Sequence, residues 1–299
     1  MADLKTLRNR IKGIKNIQKI TQAMKVVAAS KLRRARMEAE EARLFTETTC
    51  SSFLHSLSSL NDSDEIGLDF LNVENAQKTL LVLVSTDRGL CGGLNNNLIK
   101  HTLSAAEVIS SEGLECKILA IGKKATDAIK SRAPELVYST SEGFSSRKIS
   151  LGIVSEIKAR ILKAVNEEGF VRVRMIFPGF ESAMSQVVRD ELFIASKDEL
   201  ISNIEEVKEG SHDDLIEFEY EPSKEEVILS LFDYYVLSSL NQAFYETYAS
   251  EQGSRMSAMD NAVNNCHDMV SKLTLVYNRT RQAKITTELI EIISAVESI

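Results

Sequence analysis

The chain has 299 residues, of which 43% are hydrophobic and 26% charged, the balance of a globular protein with one large or two ordinary domains. No run of 18 apolar residues is present, which argues against a membrane-spanning helix, and residues 1–15 lack the apolar core of a signal peptide. The absence of tryptophan argues against a surface that stacks nucleobases. Four widely spaced cysteines without a CxxC pair indicate a reducing compartment, and argue against disulfides and a zinc ribbon: Cys50, Cys91, Cys116 and Cys266.

Charge is distributed unevenly along the chain. Residues 1–36 contain eleven Lys or Arg and one acid, Asp3, although the whole chain has a net charge of −7. The remainder is therefore strongly acidic. This polarity indicates a partner that is acidic where it meets the basic end.

Helix-breaking residues are concentrated in the middle of the chain. The three prolines are Pro134, Pro178 and Pro222, and eleven of the thirteen glycines lie between Gly67 and Gly210. Long segments free of such residues favour helix. We therefore predict a helical segment at 1–60, a mixed segment at 75–215 and a second helical segment at 222–299.

The N-terminal segment has a helical spacing of apolar residues. We predict a helix from about Asp3, a plausible N-cap, to Leu60. The apolar residues that recur at steps of three and four, and that we expect to form its contact stripe, are Leu4, Leu7, Ile11, Ile14, Ile17, Ile20, Met24 and Val27.

The middle segment alternates between strand-like and helix-like stretches. Apolar runs at 79–85, 116–121 and 171–177 predict buried strands. Helical patterns near 95–111, 123–132 and 147–167 lie between them. This alternation predicts an α/β domain with a mostly parallel sheet. Residues 183–219 give no clear assignment.

The C-terminal segment shows a sustained heptad pattern, typical of a coiled coil. Pro222 suits a position near the start of this helix. A single helix over 223–299 would be about 115 Å long at 1.5 Å per residue. It would need a partner along its length, and the N-terminal helix, running antiparallel, is the natural one. After an upstream stretch at Leu237, Leu240 and Phe244, the positions that alternate by three and four are Met256, Met259, Val263, Cys266, Val270, Leu273, Tyr277 and Thr280, and after one phase skip Ile285, Leu289, Ile292, Val296 and Ile299.

A search for catalytic and ligand-binding motifs finds no strong candidate. The loop 85–95 (STDRGLCGGLN) follows a predicted strand and precedes a predicted helix, as a phosphate loop would, but matches neither common phosphate-binding glycine motif. Cys91 could be a reactive thiol at a helix N-terminus, but no His or carboxylate accompanies it. His212 with Asp213 and Asp214 could bind a cation, although a solvated acidic turn explains them as well.

The basic N-terminal helix has several possible explanations. An Arg-rich, acid-poor start fits a mitochondrial transit peptide, although the helix continues without a break. Its charges could bind nucleic acid through phosphates, lie on anionic lipid, form a solvated face, or face acidic loops of a partner protein. Sequence physics alone leaves these alternatives open.

Four separate blocks resemble one family, the gamma subunits of F-type ATP synthases. In chain order they are 18–31 (QKITQAMKVVAASK), 85–95 (STDRGLCGGLN), 249–259 (ASEQGSRMSAM) and 275–291 (LVYNRTRQAKITTELIE). The last block contains the C-terminal signature as Ile285, Thr286, Glu288 and Glu291. The family usually continues with Gly-Ala, where this chain has Ala295-Val296, and the family's shaft is often basic, whereas this chain is net acidic.

The resemblance implies a long antiparallel coiled coil of the N- and C-terminal helices plus a central Rossmann-like α/β domain. It implies a central rotor shaft that couples proton flow to ATP synthesis at the beta subunits, without catalytic residues, metal or cofactor of its own. The implied partners are the alpha and beta subunits, the epsilon subunit and the ring of c subunits. A start at Met1 without a transit segment fits a bacterial protein, held through the complex at the cytoplasmic face of the inner membrane.

The resemblance also implies contact residues. Those expected to meet the alpha and beta subunits are Met24, Lys25, Arg33, Arg34, Arg255, Gln282, Thr286 and Glu288. The apolar residues expected to form a bearing at the shaft tip are Ile292, Ile293, Val296 and Ile299. The loop of the central domain is expected to make contacts through Asp87, Arg88 and Cys91.

Overall fold

A computed structural model describes residues 4–60, 67–73, 77–144, 149–205 and 219–297. The residue contacts divide the chain into two compact units, Met1–Ser30 with Arg255–Ile299, and Lys31–Ser254. Two short 3-10 helices lie at Asp69–Asn72 and Pro134–Leu136. The helices are α1 Leu4–Ser58, α2 Leu94–Ser111, α3 Lys123–Arg132, α4 Leu151–Glu168, α5 Lys197–Glu205 and α6 Lys224–Glu297, and the strands are β1 Lys78–Val84, β2 Glu115–Ile121, β3 Val137–Ser141, β4 Arg172–Phe180 and β5 Gln186–Ile194.

In the first unit, α1 and α6 pack as an antiparallel pair. The Lys25 ammonium lies 2.6 Å from a carboxylate oxygen of Asp260, and Gln22 lines a groove with Val263. Moving three residues forward along α1 therefore corresponds to moving three residues backward along α6, as expected for antiparallel helices. The heptad stripe predicted for α6 is confirmed from Met256 to Thr280, where all its positions are buried or half-buried. Its predicted continuation at Ile285, Leu289, Ile292 and Val296 is exposed. The N-cap proposed at Asp3 lies outside the described residues.

The stripe predicted for α1 is wrong at Ile17, Ile20 and Val27, while its other positions are buried or half-buried. Ile17, Ile20 and Val27 are 53%, 60% and 55% exposed, although we expected them to face α6. Successive steps of three residues rotate the stripe by about 60° per step relative to a 3.6-residue turn, so it leaves the contact face. The positions that α1 keeps inside instead alternate steps of three and four and are polar or small, with Gln18 and Lys25 half-buried and Thr21 and Ala28 buried.

This register predicts opposite effects at two neighbouring positions of α1. Ala28 is 1% exposed, so Ala28→Leu should overpack the helix pair and destabilise the first unit by about 1–3 kcal/mol. The matched control Val27→Leu should be nearly neutral, because that side chain faces solvent. Thermal unfolding followed by circular dichroism compares the two variants, and an equal effect at both positions would reject the register.

In the second unit, a five-stranded sheet has the order β3-β2-β1-β4-β5. Strands β1 to β4 are parallel, and β5 pairs antiparallel with β4 at one edge. Side chains of β1 alternate between the two faces, with Leu80, Val82 and Val84 in one core cluster and Leu81 and Leu83 in the other. Helices α2 and α3 cover the second face, while α4, the end of α1 and the start of α6 cover the first.

Within the second unit, α1 and α6 also pack antiparallel. The Phe53 ring stacks on Tyr235 with centroids 5.1 Å apart, and the Thr46 hydroxyl donates to the Ser238 carbonyl at 3.1 Å. The predicted α/β class, mostly parallel sheet and packed terminal helices are confirmed. Strands β3 and β5 and helix α5 are additions to the prediction. In the part of the chain that the structure describes, no helix is long and apolar enough to cross a membrane.

Candidate functional site

The loop after β1 is closed by side-chain hydrogen bonds. The Thr86 hydroxyl donates to the Arg88 carbonyl at 2.7 Å and accepts from the Asn95 amide nitrogen at 2.9 Å. The Asn95 side-chain oxygen accepts from the Thr86 backbone N–H at 3.2 Å. These bonds join the first and last residues of the loop, so residues 86–95 form a rigid turn at the carboxyl end of β1.

Asp87 occupies the position that an anion would take at the N-terminus of α3. Its carboxylate accepts hydrogen bonds from the Lys123 N–H at 3.0 Å and from the Gly143 N–H at 2.9 Å. Free N–H groups and the positive end of the helix dipole make such a terminus a phosphate site in nucleotide-binding α/β folds. Here the protein's own carboxylate is the ligand, which disfavours a phosphate there.

Gly122 lets the loop approach the β2–α3 turn closely. Its φ is +94°, and a β-carbon at this position would lie 2.3 Å from the Ser85 carbonyl oxygen. Buried Ser85 fills the same space by donating to the Ile121 carbonyl at 3.2 Å and accepting from the Ala125 N–H at 2.8 Å. The carboxyl ends of β1 and β2 are thus locked together.

The loop presents Arg88 and Leu90 outward and keeps Cys91 inside. Leu90 is 63% exposed at φ 64°, a left-handed conformation that leucine rarely adopts, whereas Cys91 is 2% exposed. The Cys91 carbonyl accepts from the Ser254 hydroxyl of α6 at 2.6 Å. Cys91 therefore supports the loop from within. Sequence reasoning missed Leu90, whose signal was an apolar residue between glycines in a polar loop.

The cysteine environments predict selective alkylation. Burial raises the pKa of the Cys116 thiol to about 11, so at pH 8 it stays protonated and unreactive. Cys91 is equally buried, while Cys50 and Cys266 are half-buried. We expect iodoacetamide to label only Cys50 and Cys266 in the folded chain, as read by peptide mass. In the control, denaturing urea should expose all four cysteines to labelling. Fast labelling of Cys91 in the folded chain would contradict this prediction and support a role for Cys91 as a reactive thiol.

The basic residues proposed as partner contacts differ in their solvent exposure and in their ion pairs within the chain. Lys25 is half-buried and paired with Asp260, and Arg34 is paired with Glu38 at 2.8 Å. Arg33 is exposed, and Arg255 is half-buried. Both pairs remain partly exposed, and such pairs contribute little stability and can be exchanged for a partner's carboxylate. Met24, beside Lys25, is half-buried in the same turn.

The C-terminal contact residues lie on an exposed stretch of helix. Every residue from Arg281 to Val296 is exposed, including Gln282, Thr286 and Glu288. Ile292, Ile293 and Val296 are 61%, 56% and 67% exposed, while Ile299 lies outside the described residues. The apolar residues that follow the phase skip in the heptad pattern are therefore not covered by any other element among the described residues.

A metal site finds no support. The described residues contain no group of three His, Cys, Asp or Glu side chains placed to hold an ion. The acidic turn at His212, Asp213 and Asp214 lies outside the described part of the chain.

Antiparallel terminal helices together with a doubly covered, mostly parallel sheet define the class of coiled-coil subunits that carry a Rossmann-like domain. The family model described as ATP synthase matches residues 3–299. Over their full lengths, the chain is 38% identical to the ATP synthase gamma chain of Rhodospirillum rubrum and 36% identical to that of Pelagibacter ubique. The chain belongs to the ATP synthase gamma chain family.

Solved structures support the same fold. A chain of the mitochondrial ATP synthase of Euglena gracilis superposes with a TM-score of 0.68 at 19% identity, covering 99% of this chain and 94% of that one. A chain from the central stalk and c-ring of the Tetrahymena thermophila enzyme gives 0.59 at 24% identity, covering 81% of this chain and 99% of that one.

Proposed function

We propose that this chain is the central rotor shaft of an F-type ATP synthase and couples proton flow to ATP synthesis at the beta subunits. The observation that supports this most directly is the full-length similarity to gamma chains at 36–38% identity. The catalytic sites belong to the beta subunits in this proposal, and the chain itself acts without cofactor or metal. Its segments 1–60 and 222–299 serve as the shaft helices, and 75–215 as the central domain.

The mechanism depends on asymmetry. One shaft inside a ring of three alpha and three beta subunits cannot contact all three catalytic subunits alike. Each rotary position therefore favours a different conformation in each beta subunit, because differential contacts shift conformational populations. Met24, Lys25, Arg33, Arg34, Arg255, Gln282, Thr286 and Glu288 are the proposed contacts to the ring.

The exposed tip suits a bearing. Ile292, Ile293 and Val296 offer apolar surface that can pack against a partner without directional bonds, and Ile299 is proposed to extend it. Such surface can slide past a ring of subunits at a low energy barrier.

The central domain is proposed to face the epsilon subunit and the c ring. Arg88, with the newly found Leu90, offers a charged and an apolar contact on a loop that Asp87 and Cys91 hold rigid. In the complex the chain would sit peripherally at the cytoplasmic face of a bacterial inner membrane. The nucleic-acid alternative gains no support, because the relatives that match over the full length are ATP synthase gamma chains.

Purification of the tagged chain from native membranes tests the proposal. We expect one copy per three alpha and three beta subunits, with epsilon and c subunits present and ATPase activity in the eluate, as measured by native mass spectrometry and phosphate release. Recovery of the chain alone or with nucleic acid would reject the shaft. A tag-only strain is the control.

A further inference from the structure

A buried carboxylate lies in the first third of α6. The Glu246 side chain is fully buried, yet its two oxygens have four partners. Three of these lie on other secondary-structure elements and one lies on its own helix. One oxygen accepts from the Arg43 side chain of α1 at 3.1 Å and from the Gln242 amide at 2.9 Å. The other accepts from the Phe180 backbone N–H at the end of β4 at 3.1 Å and lies 3.8 Å from the Arg189 side chain of β5.

Arg43 and Glu246 bind the backbone of the same residue, Phe180, one at its carbonyl and the other at its N–H. While Glu246 takes the N–H of Phe180, a terminal nitrogen of Arg43 donates to the Phe180 carbonyl at 3.2 Å and lies 3.0 Å from Glu246. The three groups close a triangle that joins α1, α6 and the last residue of β4. We call Arg43, Glu246 and the Phe180 backbone the buried clamp.

The surrounding strands are shaped for this arrangement. A β-carbon on Gly179 would lie 2.4 Å from the Arg189 side chain, so the glycine leaves room for the second arginine to reach Glu246. One helical turn further on, the Ser250 hydroxyl donates to the Pro178 carbonyl at 3.0 Å. The backbone of this strand end is thus bonded to α6 at Pro178 and Phe180 and to α1 at Phe180.

Such a cluster is poorly explained by stability alone. A buried ion pair often contributes no more than well-packed apolar residues of similar volume, because both charges lose their hydration. The distinguishing property of the cluster is that its hydrogen bonds are directional. Apolar side chains can slide past one another, whereas charge-assisted hydrogen bonds weaken steeply when donor and acceptor are displaced or rotated.

We propose that the buried clamp transmits torque from the sheet to both shaft helices, with Arg43 and Glu246 as positioning residues for rotary coupling. This inference rests on the proposed function as a rotor shaft. A load that turns the α/β domain would act on the end of β4, and the clamp would pass it to α1 and α6 together, which prevents one helix from slipping against the other.

The test uses the complete ATP synthase in inverted membrane vesicles, with ATP hydrolysis and ATP-driven proton pumping measured on the same preparation. We expect Glu246→Gln and Arg43→Gln to lower the ratio of pumping to hydrolysis by about tenfold, the order expected for losing one charge-assisted bond to a buried group. Arg43→Lys keeps the charge without the fork, so its ratio should fall between those of Arg43→Gln and the parent. Arg36→Gln, which removes an exposed pair with Glu40 on the same helix, is the matched control and should leave the ratio unchanged.

The outcomes separate the clamp from the shaft proposal. The clamp would be overturned if the ratio were unchanged in both glutamine variants, or if pumping and hydrolysis fell in parallel. In either case, pumping by the parent enzyme would leave the shaft proposal intact. If the glutamine variants fail to assemble, Arg43→Lys decides, with a lowered ratio supporting the clamp and a parental ratio rejecting it. Failure of the parent chain to assemble with ATPase subunits would instead reject the shaft.

Discussion

Gly122→Ala is expected to lower the free energy of unfolding of the second unit by about 3 kcal/mol or more. The new methyl group would lie 2.3 Å from the Ser85 carbonyl oxygen, and that oxygen belongs to the backbone, which cannot rotate away. Relief of the clash would break the bond from the Gly122 N–H to the Ser141 carbonyl or the pairing of Asp87 with Lys123. Urea unfolding of the full-length chain, followed by circular dichroism, measures the loss.

Gly169→Ala is the matched control for Gly122→Ala. Gly169 caps α4 at φ +77°, also a left-handed conformation, but a β-carbon there meets nothing within 4 Å. Its replacement should therefore cost only the conformational penalty, about 1–2 kcal/mol. The difference between the two variants isolates the steric contribution. Equal losses would mean that the β1–α3 junction can relax and that Gly122 is needed for its φ alone.

Removal of residues 286–299 is expected to weaken coupling while leaving the second unit folded. The described residues in this stretch are exposed and contribute almost no buried area to the chain, so the urea midpoint of the second unit should be unchanged. In the complex, loss of the apolar tip should lower ATP-driven proton pumping by about tenfold or more, because burying one isoleucine side chain in a partner is worth about 1.5–3 kcal/mol. Pumping by vesicles that contain the truncated chain provides the measurement.

A pair of point variants tests whether apolar character of the tip is the cause. Ile292→Asp places a charge on the apolar face, and Ser294→Asp places the same charge two residues further, on the opposite side of the helix. We expect the first to reduce coupling strongly and the second to leave most of it. Parental pumping in the truncated chain, or equal loss in both aspartate variants, would rule out an apolar bearing.

The predictable parts of the fold are those with a strong local pattern. The apolar run of β1 is buried on both faces, and its burial follows directly from its composition. Strand β5 is antiparallel at a sheet edge, and the three charged residues in the middle of its sequence QVVRDELFI interrupt its apolar pattern, so 183–219 received no assignment. Strand β3 has only five half-buried residues, too few for a reliable periodicity.

Contacts over long sequence separations account for what could not be predicted. Glu246 and Arg43 are 203 residues apart, and nothing in either local sequence shows that they meet. Asp87 looked like a surface residue of a glycine turn, because its partners Lys123 and Gly143 use backbone N–H groups, which have no sequence signature. The helix ends were easier, and the predicted start and end of the 123–132 helix match α3.

The outward row of apolar residues on α1 has a consequence for how the chain is made. Ile17, Ile20, Val26 and Val27 are all more than half exposed on a strongly basic helix. Contiguous apolar surface of this kind promotes self-association and recognition by quality-control proteases when its partner is missing. Newly made copies would therefore accumulate only in proportion to the subunits that cover this row, and any surplus would be degraded or aggregate. In this way the exposed row would regulate the cellular supply of the chain.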